Sequence, residues 1–280
     1  MAPASILTQT AKEYWDAAAE TYEQDFAGTL IGQTRRKAVW DELDCVFRPG
    51  QRILELNCGT GLDAVHLGEG GIRVLACDIS PRMIELARQR TNKAKLDGLI
   101  EFRPLATEEI NVLLGEGPFD GAFSNFSGLN CVEDVSAVAQ DLGRLLKPGA
   151  PFLLGIIGRF VPWEIVWFLA RGDPRKAVRR FRGHMVRPLE AGTLVVQYFS
   201  VKEMANLLAP QFKLRKWKGI GICVPPSYLE PWARRFPRLT KALAEFDGWF
   251  GSVPILRSMA DYALLEFERN MIVSNRDGAA

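Results

Sequence analysis

Two alternating glycines and the carboxylates around them are the residues of this chain whose types and spacing point to chemistry. Gly59 and Gly61 sit in Glu55-Leu56-Asn57-Cys58-Gly59-Thr60-Gly61-Leu62-Asp63-Ala64, after an apolar run (Ile53, Leu54, Leu56) and before a helical pattern. Lacking a Cβ, they let the loop bend sharply and let its backbone approach a ligand at the start of the next helix. A second apolar run (Ile72, Val74, Leu75) stops at Asp78, where a carboxylate can accept hydrogen bonds from both hydroxyls of a ribose. The unit reads as a β-α-β cradle for a nucleoside. Gly-Thr-Gly-Leu-Asp-Ala also fits G-x-G-x-x-A, the dinucleotide fingerprint, so an NAD or FAD enzyme competes for the same loop.

Glu55 separates the two. A pyrophosphate at this turn would be repelled by a carboxylate beside the loop, whereas a ligand carrying an ammonium and a sulfonium, as S-adenosylmethionine does, would be attracted. The segment Glu55 to Gly61 resembles motif I of the class I S-adenosylmethionine-dependent methyltransferases, usually an acid followed by three alternating glycines, and within them the small-molecule, quinone-methylating type 11 group. Asn57 stands where the first glycine is usual, and asparagine tolerates left-handed backbone angles better than most residues. Leu145-Leu146-Lys147-Pro148-Gly149 resembles a second pattern of that family.

The resemblance implies a contact set for S-adenosylmethionine and its product S-adenosylhomocysteine. It comprises Glu55, Asn57, Cys58, Gly59, Thr60 and Gly61 at the loop and Asp78, Ile79 and Met83 after the second strand. Leu105, Ala106 and Thr107 follow the third strand; the family's adenine-binding acid is missing there, since Glu108 and Glu109 come one or two places late. Ser124, Asn125 and Phe126 follow the fourth, beneath the reacting methyl. Tyr14 and Tyr22 are implied near the sulfonium, where aromatic faces favour positive charge, and Arg35 or Arg36 within reach of the cofactor carboxylate.

The elements that must position these residues follow from periodicity. Residues 9–27 and 33–47 read as leading amphipathic helices. From residue 52, strands and helices alternate at the pitch of a parallel sheet covered on both faces, with strands at 52–56, 72–77, 99–103, 119–124 and 151–157. Ser80-Pro81 opens its helix with a cap and a first-turn proline. Residues 212–223 and 260–268 are the sixth and seventh strands, expected as an antiparallel hairpin at the sheet edge. The expected fold is α/β, a doubly wound seven-stranded, mostly parallel, Rossmann-like methyltransferase sheet with N-terminal helices and lid insertions after strands 5 and 6. In one structural domain, 1–48 form a helical cover, 49–158 the cofactor-binding core, 159–210 a lid, 211–223 and 260–269 edge strands, and 224–259 a second lid. Within the first lid, 160–170 reads as a short apolar helix, 195–199 as a strand, and Ser200 to Glu203 as a capping box. Asp277 to Ala280 are expected to fray.

Charge is unevenly divided. Residues 1–150 carry 15 Lys and Arg against 22 Asp and Glu, whereas residues 151–280 carry 20 against 11 and hold five of the seven tryptophans. A basic, tryptophan-rich half suits a solvated face over an aromatic core, or a surface for something anionic and apolar. Pro162, Arg159 and Glu164 argue against a transmembrane span in 151–170, leaving open an amphipathic element that lies on a membrane surface. Five scattered cysteines, without a C-x-x-C pair, argue for a reducing compartment and against zinc or a disulfide framework. With no signal-peptide pattern in residues 1–16, the expected location is cytoplasmic.

Methyl transfer asks chiefly for positioning and exclusion of water, and for a base only if the acceptor loses a proton. His184 is the leading base candidate, with Tyr198, Glu164 and Tyr228 behind it; His66 reads as structural. Ser124-Asn125-Phe126-Ser127 lacks the prolines of nucleic-acid amino-methylating enzymes, so no nucleic-acid partner is expected. The expected reaction is methyl transfer to a small, hydrophobic, anionic or lipid-like acceptor: a quinone precursor, a prenyl phosphate, a lipid or a phenolic metabolite. The alternatives are an NAD-dependent oxidoreductase and a noncatalytic scaffold.

Overall fold

The computed structural model describes residues 6–189 and 192–271; the expectation for Asp277 to Ala280 lies outside them. Helix α1 (Ile6–Ala18), a π-helical turn (Glu23–Ala27) and α2 (Leu30–Val46) lead the chain. Residues 9–27 therefore do not form one helix. The second break comes at Thr29, whose hydroxyl accepts the Gly32 N–H and opens α2.

The alternating core follows: β1 (Arg52–Leu56), α3 (Leu62–Glu69), β2 (Arg73–Asp78), α4 (Pro81–Ala94), β3 (Ile100–Pro104), β4 (Gly121–Ser124), α5 (Val135–Leu145) and β5 (Pro151–Ile157). Ser80 caps α4 through Met83 N, and Asp134 caps α5 through Ser136 N and Ala137 N. Next come α6 (Pro162–Ala170), α7 (Pro174–Ala177), β6 (His184–Leu189), β7 (Gly192–Gln197) and α8 (Val201–Leu208). The chain continues through β8 (Phe212–Ile220), α9 (Glu230–Arg235), α10 (Pro237–Phe250), α11 (Pro254–Arg257) and β9 (Tyr262–Arg269).

Seven strands form one sheet in the order β3-β2-β1-β4-β5-β9-β8. Strands β1 to β5 are parallel; β9 runs antiparallel between β5 and β8. Continuous apolar runs such as Ile53-Leu54 and Phe152-Leu153-Leu154 are what a strand covered on both faces requires. One face packs on α5 and α8 through Val138, Leu142, Met204 and Leu208, the other on α2, α3 and α4 through Val39, Leu43, Ala64, Leu67 and Ile84. Strand order reverses between β1 and β4, and the crevice at that switch point is where such sheets bind ligands.

The insertion after β5 holds an antiparallel hairpin, β6 with β7, where the sequence pattern showed one strand. Leu194 and Val196 of β7 pack with Ala11, Tyr14 and Trp15 of α1. Short strands outside the main sheet give no regular apolar alternation of their own; their partner here is a helix far away in sequence.

Candidate functional site

The loop after β1 places Asn57, Gly59 and Gly61 at φ of 58°, 53° and 73°. Asn57 therefore takes the left-handed position that the methyltransferase pattern gives to glycine. Its side chain secures the turn: Nδ2 donates to Thr107 Oγ1 at 2.9 Å, and Oδ1 accepts from Ser124 Oγ at 3.2 Å. A Cβ on Gly61 would lie 2.7 Å from Ala87 Cβ, so glycine there allows α3 to start against α4. Asp78 closes the loop, accepting from Gly59 N and Ser80 N. Burial lifts this carboxyl to about 6.

Above the loop lies a cavity lined by the loop itself, α1, α2 and the segments after β3 and β4. Of the residues singled out from sequence, Tyr22, Arg36, Asn57, Cys58, Gly59, Thr60, Asp78, Ile79, Met83, Thr107, Asn125 and Phe126 line it. Glu55, Gly61, Leu105, Ala106 and Ser124, also expected there, do not line it. The sequence reading missed Trp15, Asp63, Glu108 and Cys131, which also line the cavity. Asp63 was visible two places after Gly61, but nothing local marks it as more than a first-turn acid.

Asp63 is the centre of the wall. Arg36 Nη1 donates to its Oδ1 at 2.5 Å, Trp40 Nε1 to the same oxygen at 2.7 Å, and Asn125 Nδ2 to Oδ2 at 2.8 Å. Behind it Glu55 is 1% exposed, and its Oε2 is buried without a partner. Burial first, then the neighbouring Asp63, pushes the Glu55 carboxyl well above its ordinary range. Asp63 and Asp78 line the cavity, with the protonation-favouring Glu55 buried near them, and make this end of the cradle acidic. It fits a cationic amino-acid nucleoside and opposes a diphosphate.

A second cavity adjoins the first and shares Trp15, Tyr22, Phe126 and Cys131 with it. Rings stand between them: Phe126 lies 4.9 Å from Phe26 edge-on and 5.6 Å from Tyr262 in a stack, while Tyr22 is 5.7 Å from Phe26. Phe126 and Ser127 both have positive φ, 45° and 73°, strain that persists only where surroundings over-determine it. They do: Phe126 N donates to Tyr262 Oη at 2.6 Å and to Asn125 Oδ1 at 2.8 Å. Tyr14 lines this second chamber and not the first.

The chamber also holds Arg35, Arg180 and Asp261. Asp261 pairs with Arg35 and Arg180, each at 2.6 Å, and Arg180 reaches Glu164 at 2.7 Å, which also binds Arg179 at 2.7 Å. Glu164 thus acts as an ion-pair hub that ties α6 to the turn after α7. Burial raises Asp261, but the two guanidiniums outweigh it and hold the carboxyl at about 2. The structure does not bring His184 or Tyr198 to either cavity. His184 is exposed on β6, and both residues line a shallow groove with Arg159 and Glu203. Tyr228, whose hydroxyl burial raises to about 12, packs against Trp167 and Phe168.

The switch-point crevice, the three left-handed loop positions and the acid ending β2 match the pattern expected of S-adenosylmethionine-dependent methyltransferases with a Rossmann-like fold. Residues 53–149 match the family model described as a methyltransferase domain. The chain is 31% identical over 139 residues to the tRNA 5-carboxymethoxyuridine methyltransferase of Escherichia coli (strain K12), a match covering 48% of this chain and 52% of that protein. It is 27% identical over 198 residues to the demethylmenaquinone methyltransferase of Symbiobacterium thermophilum, covering 62% and 75%. The chain thus spans about half the length of the Escherichia coli relative. Among solved structures, the [4+2]-cyclase SpnF superposes with a TM-score of 0.61 at 14% identity, over 95% of this chain and 97% of that one. A cyclase on this fold means that chemistry must be argued from the site.

Proposed function

We propose that this protein transfers a methyl group from S-adenosylmethionine to a small, largely apolar acceptor held in the chamber beside the glycine loop. The observation that carries this reading is the pair of adjoining cavities, one acidic and built on the nucleoside cradle, the other aromatic, sharing Trp15, Tyr22, Phe126 and Cys131. The relatives named as methyltransferases support the same reading. When bound, S-adenosylmethionine supplies a methyl group made electrophilic by a sulfonium.

The chain's own residues do the rest. Asp78 and the glycine loop it closes hold the nucleoside, while Asp63 sets a negative field toward its cationic end. Tyr22 and Phe126 hold the boundary between donor and acceptor and exclude water. The segments 159–210 and 224–259 serve as lids, since Arg180 and Ser227 from them line the acceptor chamber.

The acceptor arrives already nucleophilic, as an activated carbon or an ionised oxygen. In the chamber, burial lifts Tyr22 and Cys131 to about 12, and Asp261 is locked at about 2 between two arginines; none of the three titrates near neutrality. His184, Tyr198 and Glu164 receive no proton-transfer role. The five free cysteines support a reducing compartment such as the cytoplasm, and among the described residues no helix is long and apolar enough to cross a membrane.

The test is incubation of the purified chain with isotopically labelled methyl donor and a lipid and metabolite extract, followed by mass spectrometry. Label in a hydrophobic small molecule supports the reading. Label only in tRNA, the acceptor named for the Escherichia coli relative, replaces the acceptor class. Binding of NADH without uptake of S-adenosylmethionine or S-adenosylhomocysteine replaces the reaction, and binding of none of these returns the chain to a scaffold.

A further inference from the structure

Helix α10 presents a face that the fold leaves uncovered. Its inner stripe, Thr240, Leu243, Ala244 and Asp247, is engaged: Leu243 and Ala244 pack near Ile31, Val224 and Ala233, and Asp247 accepts from Gly221 N and Cys223 N. The adjacent stripe continues past the helix end as Leu239, Phe246, Trp249 and Val253, spaced by seven, three and four residues. These side chains are 48%, 44%, 70% and 40% exposed, with Ile255 beside them at 76%. Phe246 and Trp249 contact each other edge-on at 5.4 Å. Leu239, Phe246 and Trp249 are exposed at helical spacing on α10, and Val253 and Ile255 are exposed on the turn and short helix that follow; such a run of apolar side chains in solvent marks an interaction surface.

Charge decides what fits it. Arg235, Arg238 and Lys241, on and just before the first turns of α10, are exposed and have no carboxylate partner among the described residues, whereas Arg234 is paired with Glu230. Glu245 is the one exposed acid on the helix. A second copy of this chain would set the same three cations against one another. A nucleic acid would use the cations but has no use for exposed Leu239, Val253 and Ile255. An anionic bilayer surface uses both, burying the aliphatic and aromatic stripe among the acyl chains while its headgroups meet the arginines and the lysine.

We infer that α10 and the turn after it, from Arg235 to Ile255, form a peripheral docking surface for an anionic phospholipid bilayer. The other insertion has the same character, with Val166, Leu169 and Phe181 exposed and Arg171 and Arg175 close in sequence. Trp167 and Phe168 of that insertion meet Tyr228, just ahead of α9. The inference needs no methyl donor and stands apart from the proposed reaction.

The experiment is flotation of the purified full chain with vesicles of phosphatidylglycerol and phosphatidylcholine, and with pure phosphatidylcholine. The wild-type protein is expected to float with the anionic vesicles, on the order of 100-fold more tightly than with the neutral ones, about fivefold for each of three cations. The triple variant R235E/R238E/K241E is expected to lose that preference, and W249S/I255S to lose binding to both. Unchanged circular dichroism and an unchanged S-adenosylhomocysteine titration would separate these losses from misfolding. Should W249S/I255S fail to fold, W249F still tests the site: quenching of wild-type fluorescence by brominated lipid is expected to fall in W249F. Several results would each overturn the inference. Wild-type protein could remain unbound to both vesicles, or W249S/I255S could float as well as wild type. A dimer in sedimentation velocity that W249S/I255S dissolves would assign the face to a second copy. Binding to RNA that needs the cations but ignores Trp249 and Ile255, without flotation, would assign it to nucleic acid.

Discussion

The backbone N–H of Gly59 donates to Asp78 Oδ2 at 2.8 Å, so the acid that ends β2 also shuts the glycine loop. Its other oxygen accepts from Ser80 N at 2.9 Å, at the first turn of α4. A carboxylate has about four acceptor positions, which leaves capacity for a ribose after both backbone donors are served. One side chain thereby shapes the loop and keeps acceptor capacity facing the cavity.

Asp78→Asn keeps the size of the side chain and removes its charge. Affinity for S-adenosylhomocysteine is expected to fall about 10- to 100-fold, the loss of hydrogen bonds to a charged acceptor at about 1.5–3 kcal/mol. Titration calorimetry reads this directly, and an unchanged isotherm would remove Asp78 from the site.

The same residue gives a pH signature in the ligand-free chain. Its folded pKa of about 6 lies above the ordinary 3.8, so the folded state binds more protons than the unfolded state between those values. Its contribution to stability is full below the lower value and is lost as pH rises through the higher one, on the order of 3 kcal/mol in all. Asp78→Asn is expected to gain stability over wild type above pH 6 and nothing near pH 4, in urea unfolding at both. Affinity for S-adenosylhomocysteine should weaken below pH 6, as the carboxylate protonates.

Arg36 and Asp63 form a buried ion pair, and removing one partner leaves the other charged in a dry wall. Arg36→Ala is expected to cost about 3–5 kcal/mol, toward the lower end because Trp40 and Asn125 still donate to Asp63. The joint variant Arg36→Met with Asp63→Leu should recover only part of that stability, since Trp40 and Asn125 lose their acceptor, and none of the cofactor affinity. Denaturant midpoints and calorimetry on the two proteins separate the effects.

Asp261 ties the cover to the lid, through Arg35 of α2 and Arg180 after α7. With its folded pKa depressed to about 2, it adds stability above its unfolded value that is lost as pH falls through the folded one, on the order of 2–3 kcal/mol. Asp261→Asn should therefore be less stable than wild type at neutral pH, with the difference closing below pH 3. Limited proteolysis at neutral pH is expected to cut first within residues 159–183, now released from one anchor. Cutting elsewhere would show that the ion pairs do not hold the lid.

His184→Ala should leave turnover within about twofold and S-adenosylhomocysteine binding unchanged, because the imidazole lies on an outer groove with Arg159 and Glu203. A collapse in turnover with normal binding would place a proton acceptor on β6.

Much of the core was legible because its signals are local. A glycine or asparagine is required where the backbone turns left-handed, so Asn57, Gly59 and Gly61 could be read as a loop before any fold was known, and Ser80-Pro81 fixed the start of α4. Continuous apolar runs gave the buried strands. The hairpin β6–β7 was half visible, because its partner is α1, about 180 residues earlier. Glu55 drew attention through its type, yet Asp63 lines the cavity and Glu55 does not, since Arg36 and Trp40 of α2 and Asn125 after β4 converge on Asp63.

By itself, then, the chain of residues determined the alternating sheet, the nucleoside cradle and the acid at the end of β2, because backbone sterics and apolar periodicity act over a few residues. Only the tertiary structure decided that Glu164 is held by arginines, that His184 faces away, and that an aromatic chamber adjoins the cradle. Those facts depend on which distant side chains meet, and the pairing of charges and rings across the fold leaves no local pattern to read.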